Sequence, residues 1–427
     1  EARELIRTAG QPEGVSNEVY DYWVSVASST AEGARGLLES RGPYFIIRYT
    51  EADAPIIESA REALEKARIA IGRDLGFLPV EPVLVEIYPT PERFTQASTL
   101  TSRDMEVAGA IGLCKFNRLM IASPRVSLFG YRYLDALCHE YTHYVIQRIT
   151  RGSCFLWLHE GIAKTEERRW RLDPEASFTL STGQQELLAK AIREGGLVPF
   201  AKMHPSLIRL KDRDEVGTAF AQVAHALNYL RSTKGPTFLP LLLKTMADEE
   251  HPEFGFARVY GRPVESFEEE WLETLRREDM ETTLGGAGIE RIALTGADDV
   301  STWVDRAAQT ALRLGDRFRR AGRLEVALAE YEKARELAPR NPVILNRLGR
   351  TFLALGRPGD AEASWREGIH YNPNYADNFK QLGLRLLADG RHDDAADTLR
   401  EALAIIPFDP SVRDAARRAG KPGVLAP

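Results

Sequence analysis

Two histidines and a glutamate within five consecutive residues carry the clearest chemistry in this sequence. His139 and His143 are four positions apart, and Glu140 directly follows His139. On a helix, this spacing places both imidazoles on one face, one turn apart, where they can bind a single Zn²⁺ ion. Glu140 is then near enough to act as a general base on water without ligating the metal. The pentapeptide therefore predicts two zinc ligands and a base; the alternative is a helix whose histidines form only local hydrogen bonds.

A catalytic zinc site needs a third protein ligand, and Glu160 is the candidate, 17 residues after His143. The residues at 150–153, Thr-Arg-Gly-Ser, are typical of a helix end followed by a turn. A second helix that packs back on the first would bring Glu160 beside the two histidines. The neighbouring His159 would point about 100° away on such a helix, so we expect it beside the site or on the surface rather than on the metal.

Several predicted elements must position these side chains. Apolar residues recur at helical spacing from 134 to 149, which predicts a buried helix that carries both histidines. Three strands are predicted upstream, with an amphipathic helix between the first two: strands at 44–49, 83–88 and 119–122, and the helix at 54–75. Before the third strand, the small residues at 107–112 suit either the approach of an extended substrate to a sheet edge or an ordinary loop.

The motif His-Glu-x-x-His at 139–143, followed by Trp-Leu-x-Glu-Gly-x-Ala at 157–163, resembles the gluzincin zinc metallopeptidases, in particular the peptidase-MA-like domains that often accompany tetratricopeptide repeats. The resemblance covers about residues 40 to 277, and within this range only these two motifs are specific to the family. It implies an α+β zincin-like fold with one Zn²⁺ per chain. It also implies that His139, His143 and Glu160 are the metal ligands and that Glu140 is the general base.

One departure from the family pattern concerns the residue that follows Glu-Gly-x-Ala. The family commonly has an acidic residue there, which holds a ligand histidine by its other ring nitrogen, whereas this chain has Lys164. The resemblance leaves Glu166, Glu167 and Asp135 open as substitutes in that role.

A second departure concerns the group that stabilises the oxyanion of the transition state. Relatives often have a tyrosine where this chain has Phe220, and a phenyl ring cannot donate a hydrogen bond. His225 is predicted to take this catalytic role, with Tyr229 as a second candidate. The alternative for both residues is ordinary packing within a helix.

The C-terminal quarter of the chain contains an internal repeat of 34 residues. Glycine, alanine and proline recur at this interval: Gly315, Gly349 and Gly383; Ala327, Ala361 and Ala395; Pro339, Pro373 and Pro407. Small residues let paired helices approach closely, and proline ends the second helix of each unit. The pattern resembles the tetratricopeptide repeat. It predicts an all-α solenoid that either binds a protein partner on its concave face or braces the peptidase domain.

Domain boundaries follow from these patterns. We predict an N-terminal helical extension at 1–40, the peptidase domain at 41–280 and a Gly-rich linker at 281–300. A domain of three repeats and a capping helix is predicted at 301–427.

Composition excludes several other classes of protein. Hydrophobic residues make up 44% of the 427 residues and charged residues 28%, which excludes a wholly disordered chain. A net charge of -6 argues against a nucleic-acid partner. No apolar run approaches the roughly 18 residues of a membrane span, so no transmembrane segment is predicted. The three cysteines (Cys114, Cys138 and Cys154) form no Cys-x-x-Cys pair, which argues against a disulfide framework or a thiolate zinc knuckle.

The chain starts at Glu1 without a methionine, which we interpret as a trimmed or processed chain. Together with the resemblance, this favours an extracytoplasmic location, periplasmic or secreted, over a cytoplasmic one.

The function indicated is a zinc-dependent endopeptidase that cleaves a protein or peptide substrate, with the substrate or a regulator recruited by the repeats. Two alternatives stay open: a catalytically inactive, peptidase-like scaffold for protein interactions, and a metal hydrolase that acts on another bond. The intact Glu140 favours an enzyme, because a purely structural metal site does not need a general base next to its ligands. Lys164 and Phe220 favour the scaffold.

Overall fold

The computed structural model describes residues 16–420 except 128, 174, 175, 177, 208, 209, 279–303 and 305. It contains a mixed α/β region followed by an all-helical array, as the sequence predicts. The predicted linker at 281–300 lies outside the described residues. Within the described part of the chain, no helix is both long and apolar enough to cross a membrane.

The mixed region contains five strands and twelve α-helices among the described residues. In chain order they are α1 (Asn17–Gly33), β1 (Leu38–Arg41), β2 (Phe45–Tyr49), α2 (Ile57–Leu75), β3 (Val83–Tyr88), α3 (Pro91–Ala97), α4 (Ser102–Ala108), β4 (Gly112–Lys115), β5 (Arg118–Ala122), α5 (Tyr133–Thr150), α6 (Leu156–Glu166), α7 (Thr182–Glu194), α8 (Phe200–Met203), α9 (Arg213–Lys234), α10 (Phe238–Ala247), α11 (Pro252–Tyr260) and α12 (Val264–Arg277). Short 3-10 helices occur at Glu51–Ile56 and Pro124–Val126.

The sheet has the strand order β1-β2-β3-β5-β4. Its inner strands β2, β3 and β5 are parallel, and the edge strands β1 and β4 are antiparallel to their neighbours. The three predicted strands are confirmed as β2, β3 and β5, because their apolar side chains form the core of the sheet. The edge strands β1 and β4 are shorter and less apolar than the inner strands, so the sequence pattern does not predict them. β1 begins at Leu38, inside the predicted N-terminal extension.

Helix α5 carries the two histidines and packs against α2, β4 and β5. Its apolar face enters the main core through Leu137, Tyr141 and Val145, all of which are fully buried. The buried helix predicted there is therefore confirmed. Burial on this scale fixes both the position and the rotation of the helix, and with them the direction in which its histidines point.

The helical array contains three helix pairs and a final helix. These are α13 (Arg306–Arg320), α14 (Leu324–Leu337), α15 (Pro342–Ala354), α16 (Pro358–Tyr371), α17 (Ala376–Ala388), α18 (His392–Leu403) and α19 (Pro410–Arg418). The repeated glycines lie where the two helices of a pair cross. A Cβ at Gly315 would lie 2.5 Å from the Tyr331 ring, and one at Gly349 would lie 2.4 Å from the Trp365 indole. Only glycine allows this approach, so the 34-residue spacing is a packing requirement.

The array contacts the mixed region through the loop that ends each repeat and through Glu401 on α18, which forms an ion pair with Arg132. Residues 340, 374 and 408 hold the same position in successive repeats, 34 residues apart. Arg340 forms an ion pair with Glu186 at 3.5 Å. Asn374 Oδ1 accepts a hydrogen bond from Arg132 at 2.9 Å, and the Phe408 ring packs against the main core. One edge of the solenoid therefore rests on the mixed region.

Candidate metal centre

Helices α5 and α6 bring the three predicted ligands together. The Nε2 atoms of His139 and His143 are 3.1 Å apart. Glu160 Oε2 lies 3.6 Å from His139 Nε2 and 3.5 Å from His143 Nε2. Among the described residues, these three form the one group of His, Cys, Asp or Glu side chains with the spacing of a metal site.

The spacing of these atoms fits a tetrahedral Zn²⁺ ion. Nitrogen and oxygen ligands at about 2.0–2.1 Å from zinc lie about 3.3 Å from each other in that geometry. The three distances between His139, His143 and Glu160 are all within a few tenths of an ångström of that value. Two imidazoles and one carboxylate are also a donor set of catalytic zinc sites, which leaves one coordination position for water or substrate.

Glycine after the third ligand allows α9 to pack closely against α6. A Cβ at Gly161 would lie 2.7 Å from the carbonyl oxygen of Val223 on α9. Trp157, at the start of α6, stacks on Phe200 with ring centroids 4.4 Å apart and on Phe267 at 5.3 Å. The Trp-Leu-x-Glu-Gly motif therefore combines one ligand with the residues that set the position of its helix.

Glu140 lies beneath the edge strand β4. A Cβ at Gly112 would be 2.5 Å from Glu140 Oε1, so glycine makes room for the carboxyl group. Burial raises the pKa of Glu140, and the nearby His143 and His139 together with a backbone hydrogen bond from Cys114 counteract this rise. A carboxyl group with an elevated pKa, next to the ligand cluster, is suited to accept and return a proton.

Glu167 makes the contact that the resemblance led us to expect from an acidic residue at the position of Lys164. Its Oε2 lies 3.4 Å from His139 Nδ1, on the far side of the ring from the ligand cluster. Lys164 holds the other oxygen of Glu167 at 2.9 Å. The remaining candidates are engaged elsewhere: Glu166 with Arg231, and Asp135 with Arg171. Of the three substitutes left open by the sequence, the structure brings Glu167 to the histidine.

Electrostatics hold a proton on His139 in the metal-free chain. Burial by itself lowers the pKa of His139, but hydrogen bonds and charges from Glu160, Glu167 and Glu140 outweigh burial and raise it to about 10. Burial would raise the pKa of Glu160, yet the charges and hydrogen bonds of His143 and His139 bring it well below its usual range. The cluster thus favours a positive charge at its centre.

His159 lies beside the cluster without joining it. Its ring is parallel to that of His143, with centroids 4.5 Å apart and an interplanar angle of 7°. Burial, followed by the electrostatic effect of the nearby His143 ring, lowers the pKa of His159 to about 3, so the His159 ring is neutral. On the other ligand ring, His143 Nδ1 is buried and has no hydrogen-bond partner among the described residues.

His225 is on α9, and its hydrogen bonds are made to residues other than the three ligands. Its Nδ1 accepts a hydrogen bond from Trp271 Nε1 at 2.9 Å, and its Nε2 lies 2.9 Å from Glu278 Oε2. The second candidate, Tyr229, donates to Glu270 at 3.1 Å. The catalytic role of His225 stays a prediction, because these contacts do not test it.

Sequence reasoning missed edge strand β4 and its backbone contact with Glu140. The signal was weak because β4 has four residues and two of them, Gly112 and Lys115, are poor strand formers. The pair of turn residues after it, Phe116-Asn117, also differs from the usual Asn-Gly signal of a tight hairpin. All three cysteines are free.

Comparisons with known proteins give two family matches. The sequence profile of the peptidase MA superfamily matches residues 61–277, and that of the tetratricopeptide repeat matches 312–365 and 346–410. No curated protein sequence matches the chain. The predicted fold class, an α+β peptidase-type domain followed by a tetratricopeptide solenoid, is thereby confirmed.

Similar solved structures include one hydrolase and several tetratricopeptide domains. Yeast LTA4 hydrolase, solved with bestatin, is 14% identical and aligns over 90% of this chain and 64% of its own, with a TM-score of 0.39. The tetratricopeptide domain of Arabidopsis OM64 is 19% identical over 27% of this chain and 94% of its own, with a TM-score of 0.26. The first such domain of human RPAP3 is 18% identical over 26% and 89%, also with a TM-score of 0.26.

Proposed function

Because this chain belongs to the peptidase MA superfamily and carries a metallopeptidase-type domain, we propose that it is a zinc-dependent endopeptidase. The observation that carries the proposal is the convergence of His139, His143 and Glu160 at 3.1–3.6 Å, with Glu140 next to them on the same helix as the histidines. The reaction is the hydrolysis of a peptide bond, and the metal is one Zn²⁺ per chain.

His139, His143 and Glu160 would hold the zinc ion, and Glu167 would orient His139 from behind through Nδ1. A zinc ion held there supplies Lewis-acid activation of water and of the scissile carbonyl. Glu140 takes the proton from the attacking water and later delivers it to the leaving amine. Its raised pKa helps in both steps, because a base with a pKa nearer neutrality accepts and releases a proton at similar free-energy cost.

The substrate would bind as an extended strand along β4. This strand pairs with β5 on one side, and among the described residues no strand pairs with its other side. Gly112 and Cys114 contact Glu140, so a peptide that pairs with β4 passes directly over the general base. The segment of small residues at 107–112 leads into this edge.

His225 is our candidate for the donor that stabilises the oxyanion. Its bond to Glu278 involves a carboxylate that is half exposed, so water or substrate can replace Glu278 at Nε2. Replacement of His225 by alanine is expected to lower kcat with little change in zinc content. If the wild type and His225→Ala have equal kcat values, His225 has no role in the mechanism.

The repeats are proposed to recruit the substrate or a regulator on their concave face. Helices α15 and α17 contact each other side by side. Contact with the peptidase domain is made by the loops at the repeat ends and by Glu401 on α18.

Two variants test the proposed function. His143→Ala is expected to lose the zinc ion, measured by metal analysis of the purified chain. Glu140→Gln is expected to keep about one zinc per chain and to lose at least ~100-fold in peptide cleavage. His251→Ala, which changes an exposed histidine on the N-terminal side of α11, serves as the control and is expected to keep both properties.

The inactive scaffold makes the opposite prediction. If wild-type chain with full zinc content cleaves no member of a diverse peptide library, or if Glu140→Gln cleaves like the wild type, the endopeptidase is excluded. Cleavage of ester or other acyl substrates alone would favour the hydrolase of a different bond.

A further inference from the structure

An exposed aromatic patch lies at the end of edge strand β4. It consists of Tyr22 and Trp23 on α1 and of Phe116 in the turn between β4 and β5, and we call these three residues the aromatic patch. Their exposed fractions are 54%, 45% and 44%. Trp23 contacts Tyr22 and Phe116 edge to face, with ring centroids 5.3 Å and 5.9 Å apart. A contiguous group of exposed aromatic rings is typical of a binding surface.

Phe116 occupies a backbone position that does not favour phenylalanine. Phe116 and Asn117 form a two-residue hairpin turn, in which both have left-handed φ angles, of 56° and 55°. Asparagine and glycine adopt this conformation readily, whereas a bulky side chain adopts it at an energetic cost. Because the Phe116 ring is largely exposed, its burial offsets little of this conformational free-energy cost. A residue that is costly to the backbone and poorly buried indicates selection for binding rather than for stability.

The patch is in line with the proposed substrate strand. Cys114, whose backbone contacts Glu140, precedes Phe116 by two residues, or about 7 Å of extended chain. The Trp23 ring lies a further 5.9 Å from the Phe116 ring. At about 3.3 Å per residue, a peptide paired with β4 would reach the patch with a side chain about two to five residues from the scissile bond.

Charges beside the patch restrict what it can accept. Lys115 Nζ lies 5.3 Å from the centroid of the Phe116 ring, and Arg118 Cζ lies 6.0 Å from it. Arg118 is neutralised by an ion pair with the buried Glu86 at 2.8 Å, so Lys115 is the cation that disfavours a basic side chain in the substrate. The same rings favour an apolar side chain, because its burial against them removes apolar surface from water.

We propose that the aromatic patch is a substrate subsite that selects a bulky apolar side chain about two to five residues from the bond that is cut. The proposal rests on the proposed peptidase function, because it takes β4 as the strand that binds the substrate. It adds a substrate class: peptides with a large apolar residue at a fixed distance on one side of the scissile bond.

The test is a cleavage profile on a proteome-derived peptide library, read by mass spectrometry. The wild type is expected to enrich leucine, phenylalanine or tryptophan at one position two to five residues from the cleaved bond, and to deplete lysine and arginine there. Phe116→Asn and Trp23→Ala are expected to reduce that enrichment at least fivefold. Preferences at the residues that flank the bond should stay unchanged. The matched control is Phe254→Asn, which removes an exposed phenylalanine on α11.

Folding defects do not obscure this test. Asparagine is better suited than phenylalanine to the left-handed turn position, so Phe116→Asn is expected to keep or raise Tm. If the wild type cleaves peptides but shows no enrichment, or if both patch variants keep it, the subsite is excluded. Phe116-dependent dimerisation in sedimentation, or Phe116-dependent binding to phosphatidylglycerol vesicles, would also exclude it, since another occupant would then cover the patch.

A separate readout distinguishes failure of the subsite from failure of the proposed function. Immobilised Glu140→Gln protein is incubated with the same peptides, and retained peptides are identified. Retention of apolar peptides that disappears with Phe116→Asn supports the subsite even if the wild type cleaves nothing. Retention that is independent of Phe116 excludes it.

Discussion

The backbone N–H of Tyr131 donates a hydrogen bond to the carbonyl oxygen of Ile405 at 3.1 Å. Tyr131 lies two residues before α5, the helix with the zinc-binding motif, and Ile405 lies at the end of the third repeat. Gly130, which precedes Tyr131, has no room for a side chain, because a Cβ there would lie 2.0 Å from the carbonyl oxygen of Ile405. The repeat array is therefore in direct contact with the start of the helix that carries the proposed metal ligands.

Arg132 is the side chain that links the array to this helix. It donates to the carbonyl of Pro373 at 2.8 Å and to Asn374, and it forms an ion pair with Glu401 at 2.9 Å. Arg132→Ala is expected to lower the free energy of unfolding by about 1–3 kcal/mol, because several hydrogen bonds of a largely buried charge are lost. Denaturant unfolding of the complete chain measures this change.

The control for Arg132 is Arg148→Ala, at the other end of the same helix. Its ion pair with Glu81 spans 3.8 Å and is exposed, so the expected change is within about 0.5 kcal/mol. Equal effects of the two substitutions would show that the array does not support α5.

Gly161 is expected to be essential for metal binding although it has no side chain. Gly161→Ala would place a methyl group 2.7 Å from the Val223 carbonyl, so α6 must move away from α9 and take Glu160 with it. We expect zinc affinity to fall by at least tenfold, measured by competition with a chromogenic chelator. Gly183→Ala on α7 is the matched control, because a Cβ there meets nothing within 4 Å.

Glu167 is expected to contribute to zinc affinity without binding zinc. Loss of a carboxylate that orients a ligand histidine typically costs about 10–100-fold in metal affinity. Glu167→Ala should show a loss of this size in a chelator competition, while its far-UV spectrum stays that of the wild type. Glu253→Ala, which removes an exposed carboxylate in the first turn of α11, should leave the affinity unchanged. An unchanged affinity in Glu167→Ala would mean that the contact with His139 is incidental.

Zinc affinity is expected to increase with pH. The pKa of His139 in the metal-free chain is raised to about 10, so zinc must displace a proton from this ring at neutral pH. The apparent affinity should therefore rise by up to about tenfold per pH unit between about pH 6.5 and about pH 10. Chelator competition across this range measures the slope. A flat profile would show that His139 is neutral before the metal arrives.

The stability of the metal-free chain is expected to change with pH in the opposite direction. Because the folded-state pKa of His139 is above the unfolded value of about 6.5, protonation stabilises the fold fully below about pH 6.5. This contribution is lost as the pH rises from about 6.5 to about 10. Urea unfolding of chelator-treated protein at several pH values in this window measures the loss. His139→Gln should reduce it, and His251→Gln, at an exposed position, should leave it unchanged.

The sequence alone determined the features that depend on short-range spacing. His139, Glu140 and His143 are four residues apart or fewer, so the helix itself sets their relative positions. The three repeats are equally local, since each glycine meets a side chain 16 residues further along the chain, Tyr331 for Gly315 and Trp365 for Gly349. Apolar strands with both faces buried were also readable. Residue type and helical or strand period were sufficient in each case.

Only the tertiary structure decided how segments far apart in the chain meet. The sequence left Glu166, Glu167 and Asp135 open as partners of a ligand histidine, and the rotation of α6 against α5 brings Glu167 to His139. It also left open whether the repeats bind or brace, and the loops at Arg340, Asn374 and Phe408 rest on the peptidase-type domain. These contacts depend on the angles and distances at which packed elements cross. Such angles arise from the summed fit of many side chains, which no single motif encodes.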